Sequence, residues 1–175
     1  FLQAPNFAAE MASKKALYEV ENTTISSSKT SDFSPVLSND NILYFVSTRN
    51  NSKTDKSSNQ PYLDIFQSIR SDNGVFAEPT VIKELQTAYH DGPIAISKDG
   101  NTMYFARDGF GTGLFEKSKS SNVKIGQLGI YKATKVDGKW TNIEPLPINS
   151  SSYSTSHPAL SVDEKTLFFT SNMSG

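Results

Sequence analysis

Three stretches of the 175-residue chain keep the same order of residues, and that repetition limits the fold more than any other feature. The first runs from Asp32 through Ser34-Pro35-Val36-Leu37-Ser38-Asn39-Asp40-Asn41 into Ile42-Leu43-Tyr44-Phe45-Val46 and ends at Arg49. The second runs from Asp91-Gly92-Pro93 through Ser97-Lys98-Asp99-Gly100 into Thr102-Met103-Tyr104-Phe105-Ala106 and Arg107. The third runs from Ser156-His157-Pro158 through Ser161-Val162-Asp163 into Thr166-Leu167-Phe168-Phe169-Thr170. Aligned, they read as a proline, two small or apolar residues, Leu or Ile, serine, a polar turn built on aspartate, and an apolar-aromatic run. Proline fixes φ and lacks a donor, so it is expected at a strand entrance, where no ladder bond is lost. The polar turn supplies residues that tolerate positive φ, and the run that follows alternates with period two. Each copy is therefore predicted to be a β-hairpin.

A second motif lies between the copies. Asp64-Ile65-Phe66-Gln67-Ser68-Ile69-Arg70, with a turn at Asp72-Asn73-Gly74, then Val75-Phe76 and Glu78-Pro79, matches Gly129-Ile130-Tyr131-Lys132-Ala133-Thr134, a turn at Asp137-Gly138, then Lys139-Trp140 and Glu144-Pro145. The unit is thus four strands, and a repeated four-stranded unit is the signature of a β-propeller blade. Polar insertions at Asn50 to Gln60 and Phe110 to Gln127 fall at the same place in two units and are expected on one rim, where binding commonly resides. The predicted fold is all-β, a partial β-propeller of about two and a half antiparallel blades over 18–175, with repeats beginning near 31, 89 and 155. A helical lead-in covers 1–17, with helix expected from Phe7 to Tyr18, the one segment with helical spacing of apolar residues. Two and a half blades cannot close a ring, so these residues are expected to be part of a longer chain or to be completed by another polypeptide.

The remaining composition narrows function. With 17 basic against 18 acidic residues the chain has no field to attract a polyanion, which argues against nucleic acid. No cysteine is present, so disulfides, a thiol nucleophile and Cys-ligated zinc are excluded. No apolar run approaches the roughly 18 residues of a membrane-spanning helix. The two histidines, His90 and His157, both fall near a repeat's proline and are read as structural, because no Ser or Cys forms an activated-nucleophile motif with either. Asp108-Gly109-Phe110-Gly111-Thr112-Gly113 superficially resembles a phosphate loop, but no helix pattern or Walker lysine follows, and it is read as a turn. Asp91, Asp99, Asp108 and Asp163 are read as turn formers, not as a calcium ladder. Lys53, Lys56, Lys117, Lys119 and Lys124 give the inserted loops a mildly basic, solvated character. In the pairs Tyr44/Phe45, Tyr104/Phe105 and Phe168/Phe169, one ring of each should pack between units while its neighbour faces the other side, and Trp140 and Phe76 should also pack. The expected sets of catalytic, metal and cofactor residues are empty.

These residues resemble the WD40-like, or PD40, β-propeller repeats of OmpA-family outer-membrane proteins, whose blades follow H-P-x-L-S-x-D-x-x-x-L-Y-F-x-S and then D-I-Y. His157-Pro158-Ala159-Leu160-Ser161-Val162-Asp163 with Leu167-Phe168-Phe169-Thr170-Ser171, and Asp64-Ile65-Phe66, carry the likeness most strongly. Tyr18 to Pro35 is similar to the opening of such propellers, and Ala8 to Leu17 to the connector from a preceding helical-repeat domain. The resemblance implies a non-enzymatic scaffold in the periplasm, associated with the outer membrane and of the type IX secretion or gliding tether type. Its implied partners are outer-membrane or periplasmic proteins, with peptidoglycan held by a domain outside these residues. The alternatives are a Tol-type periplasmic binding propeller, or the propeller of a carbohydrate-active enzyme or peptidase.

Overall fold

A computed structural model describes residues 4–50, 54–56, 58–118 and 123–175. The first sheet has the order β1 (Asp32–Leu37), β2 (Ile42–Ser47), β5 (Asp64–Ile69), β6 (Thr80–Val81), every neighbour antiparallel. The second repeats it with β7 (Asp91–Ile96), β8 (Thr102–Asp108), β11 (Leu128–Val136) and β12 (Lys139–Pro145). β13 (Thr155–Leu160) and β14 (Leu167–Ser171) form a third hairpin. The inserted loops carry hairpins of their own, β3 (Thr54–Asp55) with β4 (Gln60–Pro61) and β9 (Phe115–Lys117) with β10 (Lys124–Gly126). The architecture is mostly β, in antiparallel sheets with one short helix, and the described residues close no barrel or ring.

Each hairpin turn is built by the repeated Ser-x-Asp. The hydroxyls of Ser38, Ser97 and Ser161 donate to Asp40, Asp99 and Asp163, and the residue after each aspartate-centred bend, Asn41, Gly100 or Glu164, takes positive φ. This clasp meets the turn's backbone groups locally, which is why short polar residues recur there.

Three expectations require correction. The prolines do not stand at strand entrances: each follows a positive-φ residue (Ser34, Gly92, His157) inside a β-bulge of the first strand, between Phe33 and Val36, Asp91 and Ile94, and Ser156 and Ala159. A bulge leaves its extra residue outside the ladder, so the missing proline donor costs nothing there. Pro93 stands one residue further from its serine than Pro35 and Pro158 do, and register therefore pairs Asp32 with Asp91 and Thr155 across the units. In the first unit the predicted fourth strand at Val75-Phe76 shrinks to a single bridge, Arg70 with Phe76, and the sheet edge is instead β6. The helix α1 covers Ala4–Ser13, not 7–18. Phe7 and Met11 are exposed, so no tertiary contact extends it, and a helix this short gains little from its own hydrogen bonds.

The sheets stack in series, β7 lying on β1, β2 and β5, and β13 lying on β7, β8 and β11. The core between the first two gathers Tyr44, Ile65, Ile82 and Leu85 from one side and Ile94, Met103, Phe105, Tyr131, Ala133 and Trp140 from the other. Lys135 Nζ crosses the seam to donate to the Tyr44 hydroxyl at 3.0 Å and pairs with Asp40 at 3.5 Å, while Trp140 meets Tyr44 edge-on with centroids 6.1 Å apart. Burial disfavours the Lys135 charge, but the Tyr44 and Asp40 oxygens outweigh it and hold the ammonium above its ordinary pKa. Gly92 matters here, because a Cβ at that position would run into the Val46 side chain of the neighbouring sheet. The hairpin turns form a ladder of their own: the Asn39 amide donates to the Lys98 carbonyl at 2.7 Å, and the Lys98 N–H donates to Glu164.

Candidate functional site

Because β3–β4 follows β2 and β9–β10 follows β8, both inserted hairpins leave the stack at the same end of their sheets. Between their bases runs a chain of half-buried rings. Tyr62, leading from β4 into β5, meets His90 at 4.8 Å and Tyr89 at 6.2 Å, both edge-on. Tyr89 leans on Phe110 at 5.7 Å, Phe110 on Phe115 at 5.4 Å, and Lys124 Nζ sits 4.4 Å from the Phe115 ring centre. These residues come from three separate connections, and their mutual contacts make one continuous belt along the rim.

Backbone bonds hold the belt. The Leu63 N–H donates to His90 Nδ1 at 3.1 Å, Asp91 N–H to the Leu63 carbonyl at 2.8 Å, and Asp108 N–H to the His90 carbonyl at 2.9 Å. Gly109–Thr112 is a 3-10 turn, capped by the Asp108 carboxylate accepting from Phe110 N–H at 2.8 Å and ended by Gly113 at φ 87°. The turn projects Phe110 toward Tyr89, and the Thr112 and Tyr131 hydroxyls share a 2.9 Å bond that ties it to the sheet.

Beneath the belt lies an ion pair. Arg107 Nε donates to Asp91 Oδ1 at 2.6 Å and its Nη2 to the Leu85 carbonyl, while Asp91 Oδ2 accepts from both the N–H and the hydroxyl of Thr87 at 2.9 Å. The guanidinium stacks on Phe105 and Tyr131 at 4.9 and 5.2 Å. Asp91 is fully buried, and burial pushes its carboxyl above the ordinary value against the pull of Arg107 and Thr87. The first unit has the same device: Arg49 Nη2 donates to Asp32 Oδ1 and to the Ile25 carbonyl, both at 2.9 Å, and stacks on Phe45 and Phe66. Asp32 is more exposed; burial pushes it up, but Ser47 and Arg49 prevail and lower it.

A second buried carboxylate, Asp64, accepts from Asn50 Nδ2 at 2.9 Å, and burial raises its pKa from 3.8 against the Asn50 and Gln86 donors. The folded state thus favours its protonated form. That stabilisation is complete below pH 3.8 and is lost as pH climbs through the raised folded value. Asp64→Asn removes the titration, so its melting temperature should gain on the wild type as pH rises from 3 to 7. A single proton limits the slope to about 1.4 kcal/mol per pH unit. A constant difference across that range would contradict the assignment.

The residues singled out in the sequence separate into distinct places. His90 belongs to the belt, whereas His157 sits exposed in the third hairpin's bulge, its Nδ1 3.4 Å from the Thr170 hydroxyl. Asp99 and Asp163 are turn formers and Asp108 caps the 3-10 turn. Asp91 is not a turn former; it is the buried partner of Arg107, and the signal for it was an aspartate near the bulge of the first two units, matched in both by an arginine at the end of the aromatic run. Lys117 and Lys124 lie on the β9–β10 hairpin, and Lys53 and Lys119 fall outside the described residues. Among the described residues no three His, Asp or Glu side chains gather in a metal-binding group, and no helix is long and apolar enough to cross a membrane. Sequence reasoning missed the belt, because its members lie in connections where no periodicity marks them.

Half-buried tyrosine and phenylalanine rings held rigid by backbone bonds combine apolar area with polar edges, a composition suited to protein surfaces and their binding hot spots. No family model, curated protein or solved structure matches the chain.

Proposed function

We propose that this chain is a non-enzymatic protein–protein interaction module of a bacterial cell-envelope scaffold, built as consecutive blades of a β-propeller, and that it takes up an outer-membrane or periplasmic partner on its aromatic rim. The observation that carries the reading is the belt from Tyr62 to Phe115, which links the inserted hairpins of two equivalent four-stranded units. The serial stacking of those units supports the propeller, and the repeat grammar Pro-x-Leu-Ser-x-Asp with Asp-Ile-Phe supports the envelope setting. In this reading the module helps tether an outer-membrane assembly to the periplasm or peptidoglycan.

The test compares two variants in capture from detergent-solubilised envelopes. One replaces Tyr62, Phe110 and Phe115 with alanine; the other replaces the exposed Ile69 and Val136, at the far ends of β5 and β11. Each buried hot-spot ring is worth about 2 kcal/mol or more, so the rim variant should retain at least tenfold less outer-membrane or periplasmic protein while the far-end variant binds normally. Equal losses, or no envelope protein retained by the wild type, would overturn the proposal.

A further inference from the structure

A cavity of about 600 Å³ is built into the second unit, within the roughly 300–1,000 Å³ of ligand pockets. Leu114, Ile143, Pro145, Leu146 and Pro147 give it an apolar lining, and Arg107, Thr112, Tyr131 and Asn149 are its polar members. Arg107 and Tyr131 lie on the face of the second sheet that packs on the first, since Tyr131 joins the shared core and Arg107 Nη2 donates to the Leu85 carbonyl. Thr112 and Leu114 stand between Phe110 and Phe115 in the chain, so the cavity adjoins the aromatic belt. Backbone bonds hold it open. The Leu114 N–H donates to the Gly109 carbonyl and its carbonyl accepts from Gln127, both at 2.9 Å, while the Leu146 N–H donates to the Ile130 carbonyl at 2.9 Å. Pro145 and Pro147 have no N–H to recruit a further strand across the lining.

Most of the polar capacity around this cavity is already used. The single hydroxyl hydrogen of Thr112 goes to the Gly109 carbonyl at 3.0 Å, so in the 2.9 Å contact with Tyr131 the tyrosine is the donor. Asn149 Oδ1 accepts from the Ile130 N–H at 2.8 Å and the Thr155 hydroxyl at 3.0 Å, and its Nδ2 donates to the Ile130 carbonyl at 2.8 Å. Arg107 differs. Its Nε and Nη2 are bonded, but Nη1 makes no hydrogen bond among the described residues, although the side chain is only 10% exposed. A donor so buried gains from an oxygen that a ligand brings to it. The charge of Arg107 is met by Asp91 at 2.6 Å, and that carboxylate repels a second one. A neutral carbonyl therefore suits Nη1 better than an anion does.

We infer that the cavity is a peptide subsite, which takes an apolar side chain while the adjoining backbone carbonyl accepts from Arg107 Nη1. Its occupant rests on the rim reading: the side chain belongs to the protein that the belt holds. The partner then presents an extended segment with a leucine-sized apolar residue, anchored beside the rings of Phe110 and Phe115.

The test titrates N-acetyl-leucine N-methylamide into the isotope-labelled chain and follows it by nuclear magnetic resonance. A probe of this size should bind with a dissociation constant of roughly 1–10 mM. The backbone N–H signals of Thr112, Leu114 and Leu146 should shift together with the Arg107 Nε–H. N-acetyl-leucine, which carries a carboxylate in place of the neutral amide, should bind at least about fivefold more weakly at neutral pH. Pro147→Trp, at an exposed position on the cavity's lining, should weaken the probe at least tenfold with an unchanged melting temperature. In capture from solubilised envelopes the same variant should retain at least tenfold less of the protein that the wild type holds. Shifts scattered beyond the cavity, or equal affinity for the two probes, would overturn the subsite. So would wild-type capture by the Pro147→Trp protein while the Tyr62, Phe110 and Phe115 variant loses its partner. Probe binding at the cavity of a chain that retains no envelope protein would instead strike the rim reading, and with it the occupant, while the preference for a neutral peptide stands.

Discussion

Asp91→Ala should destabilise the chain by about 3–5 kcal/mol, the loss expected when one partner of a buried ion pair is removed and the other charge is left unpaired. Asp91 is fully buried and accepts from Arg107 and from both Thr87 donors, so its removal orphans several groups at once. The matched pair Asp32–Arg49 provides an internal control. It joins the same two residue types, through Arg49 Nη2 rather than Nε, but is partly exposed, and Asp32→Ala should cost only about 1 kcal/mol. Replacing Asp91 with leucine and Arg107 with methionine together should recover most of the loss, because buried ion pairs commonly do no better than well-packed apolar residues. Urea unfolding followed by tryptophan fluorescence measures all three. Equal costs for Asp91→Ala and Asp32→Ala would show that burial does not distinguish the two sites.

Trp140→Ala should cost a similar amount, about 3–5 kcal/mol, because it removes a large buried ring from the seam between the first two sheets. Trp140→Phe should cost clearly less, because the phenyl ring leaves a smaller cavity than alanine does. The indole Nε1 is buried with no hydrogen-bond partner, so the phenyl ring forfeits packing area but no bond. The alanine variant also removes the surface that positions Lys135 over Tyr44, so the first sheet should loosen from the second. Hydrogen exchange should show this as lost protection in both β2 and β11. Loss confined to β11 and β12 would mean that the ring stabilises only its own sheet.

Much of this fold is legible in the sequence because its signals are local. A serine two residues before an aspartate closes a turn with its own hydroxyl, and alternating aromatics announce the next strand, as at Ser97, Asp99 and Thr102–Asp108. The fourth strand of the second unit follows from the tight Asp137-Gly138 turn, both residues at positive φ. In the first unit the longer turn bonds Ser71 to Val75 and leaves only one bridge beyond it, a competition between turn and ladder that composition does not decide. The bulges at Ser34 and His157 were hidden because residues other than glycine uncommonly adopt positive φ, and only the strand pairing reveals that these two do. Asp91 was misread for a related reason: an aspartate beside Gly-Pro resembles a turn former until Arg107, sixteen residues on, closes over it. The rim belt depends on contacts among residues as far apart as Tyr62 and Phe115, and a single sequence does not encode such adjacency in any spacing.

The central claim is that partners meet this molecule at its aromatic rim. Site-specific photo-crosslinking in intact envelopes tests it most directly, with a benzophenone side chain placed at Ile125 on the β9–β10 hairpin and, separately, at Ile69 at the far end of β5. Both positions are exposed, so both probes are equally free to react. The account predicts a discrete adduct with an outer-membrane or periplasmic protein from Ile125 and none from Ile69. An adduct from Ile69 alone, or the same adducts from both positions, would contradict it.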